Sequence, residues 1–371
     1  MIKRILTGLA FLLLISTCYL LFWPVPVNPV AWDAPLSEGY TGDFELNTRL
    51  ANLEKLSIGD TYGPEDVDIW VDDSGDVWVY ASGHQGEIIE IHPASNTHKV
   101  IANTGGVPLG VEFGSDGVLY IADAYKGLMS VTRDGKLTLL TNSVDGTPIL
   151  YADDLDIAPD GVIYFSDAST KFGAEATGST LAGSLLELLE HSKTGRILAY
   201  DPKDGSTRIV ADGFSFSNGV AMGPEGESIL VNETGEYCVH RIWVSGPRAG
   251  EREVIIRNMP GFPDNINPGP IVEDIGQTYL LGLVSKRSDW TDKNAKNLLA
   301  RKIALRLPPS LRLKPQNHGM IVQIDANGTV LQTWQDSSGA YPTTTGAVIA
   351  PDGNMYVTSL TAPHLARLKL Q

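Results

Sequence analysis

The stretch "DDLDIAPDGVIYFSDAS", residues 153–169, decides the fold. An alternating run ends at Ala158-Pro159-Asp160-Gly161, a turn whose glycine tolerates positive φ, and a second alternating run follows. The same unit recurs in "DDSGDVWV" (72–79), "GSDGVLYI" (114–121), "GPEGESILV" (223–231), "VEDIGQTYLL" (272–281) and "APDGNMYV" (350–357). A strand-like segment precedes each turn, such as "EDVDIWV", "PLGVEF", "SNGVAM", "DNINPGPI" and "TTTGAVIA". Further strand pairs follow most copies, for example "GEIIEIHP" with "HKVIA" and "GRILAYDP" with "TRIVA".

The turn glycines stand at 75, 117, 161, 226, 276 and 353, with gaps of 42, 44, 65, 50 and 77. A module of roughly 40–50 residues with insertions is the signature of a four-stranded propeller blade. The sequence therefore predicts an all-β, six-bladed β-propeller over residues 44–371, and a β-sandwich is the weaker alternative. The last copy ends one strand short, after "HLARLKL"; "FELNTRLANLEKL" (44–56) is expected to supply that strand and close the ring. Two helical insertions interrupt the pattern, at about 174–191 and 286–315. The second carries nine Lys/Arg against two Asp and is read either as a lid that touches anionic headgroups or as a solvated cap.

Residues 1–4 form a short basic N-terminus, and 5–23, "ILTGLAFLLLISTCYLLFW", carry no charge. That length suits a transmembrane helix better than a cleaved signal. Lys3 and Arg4 predict a single-pass anchor with its N-terminus in the cytoplasm and the propeller on the non-cytoplasmic side. Residues 24–43 read as an extended Pro-rich linker. The formal charge of −16 favours cations or neutral substrates and argues against nucleic-acid partners. Cys18 and Cys238 are poorly placed to pair, and no CxxC, GxSxG, Walker or HExxH pattern occurs.

The first positions of the inner strands in a propeller meet at one mouth. Glu65, Asp153-Asp154, Asn218 and Asp264-Asn265 all fall there. Each alone reads as a turn residue. Together they offer an oxygen-only ligand set suited to Ca²⁺ or another hard divalent cation. Asp123, Asp167 and Glu233 end second strands towards the same mouth and are candidates for proton transfer or substrate contact, or else loop caps. His191 is the histidine placed nearest the mouth.

The segments "YGPEDV", "LYIADAYKGL", "TGRILAYDP", "FSNGVAMGPEG" and "NMPGFPDNI" resemble the strictosidine synthase-like family, above all its adipocyte plasma membrane-associated branch. A more distant resemblance is to the gluconolactonase/regucalcin group and the paraoxonases. The resemblance implies a propeller with a divalent cation on its axis, held by positions matching Glu65, Asp153, Asn218, Asp264 and Asn265. Where the family usually reads Asn-Asp, this chain has Asp153-Asp154. Where strictosidine synthases carry a glutamate early in the last inner strand, it has Gly346, so their amine–aldehyde condensation is not expected.

The expected activity is metal-assisted hydrolysis of a lactone or aryl ester. Asp264 is the leading base, Asp123, Asp167 and His191 are further catalytic candidates, and Glu233 and Asp154 are substrate contacts. The rival reading is a non-enzymatic propeller that binds a partner and keeps its metal for structure alone.

Overall fold

A computed structural model describes residues 1–370. Six four-stranded antiparallel sheets surround one axis. Their inner strands are Val67–Val71, Pro108–Phe113, Ala152–Ile157, Ser217–Met222, Gly261–Val272 and Thr344–Ile349, for blades one to six. All six repeating glycines adopt positive φ, from 71° at Gly226 to 91° at Gly276, so each turn needs the residue the repeat supplies. The ring closes as the sequence predicts. Glu54–Leu56 is the outermost strand of blade six and pairs with Leu365–Arg367. Only those three residues of 44–56 join the sheet. The turn Gly42–Phe44 packs instead on blade five.

The core lies between blades. Val79, Ile89 and Ile91 of blade one pack on Tyr356 and Leu365 of blade six, and every blade boundary has an equivalent apolar layer. Facing the axis, a simple alternation holds the inner strands together. The odd blades carry polar residues, Asp66 and Asp68, Asp154 and Asp156, Asn265 and Asn267, while the even blades carry Gly110, Gly219 and Gly346 in the matching place. Asp66 and Asp68 accept from the backbone N–H of Val111 (3.0 Å) and Phe113 (2.7 Å) in blade two. Asp154 and Asp156 do the same to Val220 (2.8 Å) and Met222 (2.6 Å) in blade four. Gly110 and Gly219 in turn leave room for the blade that follows. A Cβ on Gly110 would lie 2.6 Å from an Asp154 carboxylate oxygen.

At the N-terminus, α1 (Ile2–Phe22) is long and apolar enough to cross a membrane, and none of it is buried. The first insertion forms α2 (Ala174–Thr177) and α3 (Thr180–Glu190). The second forms two short helices, α4 (Asp289–Lys293) and α5 (Leu298–Arg306). The break falls where Asn297 turns its side chain to cap α5, accepting from Ala300 N–H at 3.1 Å.

The Pro-rich linker is docked on the insertions. Val27, Pro29 and Trp32 are buried, and Glu190 accepts from the N–H groups of Asn28 and Val30. Arg301, fully buried, donates to the carbonyls of Val30, Leu189 and Ala295, tying linker, first insertion and second insertion into one roof. Arg287 likewise reaches Pro35 and pairs with Asp292 at 2.9 Å. Three of the nine basic residues in the second insertion, Arg287, Arg301 and Arg306, are thus internal fasteners and unavailable to headgroups.

Candidate metal centre at the propeller mouth

In blades two to six the pairing register slips within the first residues of the inner strand, at Pro108/Val111, Ala152/Leu155, Ser217/Val220, Pro263/Ile266 and Thr344/Ala347. A bulge turns the side chains it contains out of the alternating pattern. In blades three, four and five the bulges hold Asp153, Asn218 and Asp264. With Glu65, just ahead of the blade-one strand, these residues line one cavity of about 580 Å³.

Glu65, Asn218 and Asp264 each keep one oxygen (Oε2, Oδ1 and Oδ2) buried with no hydrogen-bond partner. Asn265 Oδ1 is a fourth such atom, although Asn265 does not line the cavity. Its amide donates to the Glu65 carbonyl at 3.1 Å. Burial, then the charges of Asp264 and Asp153, hold the Glu65 carboxyl well above its usual range. Burial and Asp264 do the same to Asp153. Burial pushes Asp264 up to about 7 against the hydrogen bond from Asn218.

Buried carboxylates that repel one another, with orphaned oxygens converging on one space, call for positive charge. The donor set is oxygen only, carboxylate plus amide, and fits a hard divalent cation such as Ca²⁺.

The strands behind these residues fix them. Asn218 Nδ2 donates to Asp264 Oδ1. Asn232 Nδ2 holds the Asp264 carbonyl at 2.6 Å, and Thr234 Oγ1 holds that of Pro263 at 2.7 Å. The Glu65 carbonyl also accepts from Thr345 Oγ1 at 2.6 Å. Gly219 and Gly346 leave room: a Cβ would fall 2.5 Å from the Asp264 carbonyl oxygen and 3.1 Å from the Asn265 Cβ respectively.

The remaining candidates lie elsewhere. Asp123 accepts from the N–H groups of Val107, Tyr125 and Lys126, so it caps a loop. Asp167 caps Leu150 and Tyr151 and pairs with Arg196 at 2.8 Å. Glu233 accepts from Ser215 N–H and pairs with His240 and Arg252. Asp154 turns towards blade four, away from the cavity. His191 is sealed under Trp32, stacked at 4.1 Å, between Glu236 and Ser215. Loop backbones bordered by an inner strand need these acceptors, which is why acids end the second strands.

Tyr151, Asn232 and Thr234 are the residues sequence reasoning missed. The available signal was the position before each capping acid: Ser166 there holds Asp154 N–H, and Asn232 holds Asp264.

Among the described residues, Glu233, Cys238 and His240 also bring three ligand atoms within 4.8 Å of one another. Arg252 already neutralises Glu233 at 3.4 Å and donates to His240 Nδ1 at 3.0 Å, so that place is filled by a cation of the chain's own.

Comparison with known proteins agrees with this architecture. Family models for strictosidine synthase and for the strictosidine synthase-like N-terminal region match residues 153–247 and 42–91. Strictosidine synthase-like 4 of Arabidopsis thaliana is 30% identical over 332 residues, covering 88% of this chain and 84% of the relative. The human adipocyte plasma membrane-associated protein is 28% identical over 385 residues, covering 96% and 87%. Among solved structures, a gluconolactonase from Xanthomonas campestris superposes with a TM-score of 0.59 at 17% identity, covering 87% of this chain and 91% of its own. A calcium-binding regucalcin from Agrobacterium tumefaciens superposes with a TM-score of 0.56 at 15% identity, covering 86% and 96%. At such identities the structures attest the six-bladed fold alone, whereas the sequence matches reach across almost the whole chain, which therefore belongs to the strictosidine synthase-like family.

Proposed function

We propose that this chain is a membrane-anchored, divalent-cation-dependent hydrolase of lactones or aryl esters, with its N-terminus in the cytoplasm and its propeller on the other side. The observation that carries the reading is the convergence of orphaned buried oxygens on Glu65, Asn218 and Asp264, with the Asp153 carboxylate beside them, at the floor of a largely apolar cavity. Glu65, Asp153, Asn218 and Asp264 would hold Ca²⁺, with Asn265 behind them. When bound, such an ion polarises a carbonyl and stabilises the oxyanion formed on it.

The chain's own groups divide the remaining work. Asp264 is oriented by Asn218 at Oδ1, and its carboxylate is the group that would take a proton from water. Tyr151 lines the same cavity, and burial together with Asp153, Asp264 and Glu65 keeps its phenol protonated, a donor for a substrate oxygen. Leu109, Phe216 and Phe262 in the wall exclude bulk water. Gly346 offers no acid in the last inner strand, so nothing there supports amine condensation.

The basic insertion turns Lys293, Lys296, Arg312 and Lys314 outward, and these are the groups that would meet anionic headgroups. The test is turnover of phenyl acetate and a simple lactone by purified full-length protein, before and after EDTA, with bound metal measured. Turnover that chelation abolishes and Ca²⁺ restores supports the reading. Turnover indifferent to chelation, or no turnover from metal-loaded protein, removes it.

A further inference from the structure

The cavity that ends on Glu65 and Asp264 begins at the membrane anchor. Tyr19 and Trp23, in and just after the last turn of α1, line it together with the metal-site residues. Between the two ends the wall is built from leucine and phenylalanine, among them Leu185 and Leu188 of α3 and Phe262 of blade five. We infer that this passage is fed from the bilayer and takes a long-chain amphiphilic ester or lactone, carbonyl end at the acidic floor and alkyl chain along the leucines. The inference rests on the hydrolytic reading for its ester or lactone, but the route stands on geometry.

Three observations favour a lipid-borne occupant. The opening is fixed to the anchor, because Arg306 of α5 donates to the carbonyls of Trp23 (2.6 Å) and Leu20 (2.7 Å), closing the last turn of α1 against the roof. The rim bears the marks of an interface: Tyr19 and Trp23 pack at 5.5 Å and stay largely exposed, where aromatic side chains settle at headgroup depth. Lys286, Arg312 and Lys314 line the same opening, and basic groups there suit the anionic surface around a lipid.

A small water-soluble ester gains nothing from an entrance placed at the bilayer. A long chain that moves from the bilayer into a leucine-lined passage stays in apolar surroundings throughout, so its entry costs little.

The test uses the full chain in phosphatidylcholine vesicles doped with a palmitoyl ester that carries a diazirine midway along its chain. After irradiation, peptide mapping should find adducts on Leu185, Leu188 and Phe262 as well as on α1. Leu185→Trp should lower the interior adducts at least fivefold and leave those on α1 unchanged. Leu185→Met, close in volume, should leave both, which separates a blocked passage from a lost fold. Adducts confined to α1 and to the outer leucines Leu298 and Leu299 would overturn the route. Phenyl acetate turnover in the same vesicles judges hydrolysis separately: interior adducts without turnover keep the route and sink the hydrolase, and turnover without interior adducts does the reverse.

Discussion

Asn218 of blade four donates its amide to Asp264 of blade five and leaves its own carbonyl oxygen, with the second Asp264 oxygen, facing the same buried space. One hydrogen bond thus orients two candidate cation ligands from different blades. Asp264→Asn removes a charge but little volume. Cation affinity should fall by about a hundredfold or more, since even outer-shell partners are worth up to about that. The cation-free protein should melt higher than wild type, because one repelling charge is gone. Calorimetric titration with Ca²⁺ and a thermal melt in EDTA check both halves.

The buried acids predict an unusual pH dependence. Asp66 and Asp264 are pushed up to about 7, and Asp68 and Asp156 to about 6, by burial first. Each holds its proton to higher pH folded than unfolded, so the folded state binds more protons from about pH 4 to 7 and loses stability as pH rises through that window. Melting temperature in EDTA should therefore fall from pH 5 to pH 8. Added Ca²⁺ should cancel much of the fall, and its stabilising shift should grow with pH. A flat profile in EDTA would contradict the electrostatics of the axis.

Gly219 lies against the strand that carries Asp264, and an added Cβ would sit 2.5 Å from the Asp264 carbonyl. The three nearest atoms, on Asp264, Asn265 and Ile266, are all backbone and cannot yield. Gly219→Ala should cost about 1–3 kcal/mol of stability and weaken cation binding disproportionately. Gly353→Ala, whose Cβ would meet nothing, serves as the comparison for backbone strain alone. Denaturant titration with and without Ca²⁺ distinguishes them.

Arg301 joins the linker to both insertions through three backbone carbonyls. Arg301→Ala leaves those carbonyls unmet, at roughly 1–3 kcal/mol for each one left buried. The damage should stay in the roof. Limited proteolysis should begin to cut within residues 286–315, while the propeller's own melting transition moves little.

How much of this was readable from the chain follows from the range of the forces involved. The blade count was legible because each Gly turn is a local requirement, met at Gly161 and Gly353 by the same φ > 0 geometry. The convergence of Glu65, Asp153, Asn218 and Asp264 on one cavity was legible because inner strands share a start, so position along the repeat translates into position in space. What was left open is whether Asp123 and Asp167 reach the substrate or only cap loops. Both end second strands near the mouth, and it is the loop backbone folded over them that makes them caps. The docked linker was equally hidden, because Arg301 meets Val30 across 271 residues of sequence.

The alternation of polar residues (Asp66, Asp154, Asn265) and glycines (Gly110, Gly219, Gly346) at one place on the inner strands gives this ring a parity. Removing one blade, or duplicating one, would set two polar-bearing strands side by side with no glycine between them, or two glycine strands with nothing to fill the gap. The unit that can be copied, lost or exchanged between relatives is therefore a pair of neighbouring blades, and a viable ring of this design counts in twos.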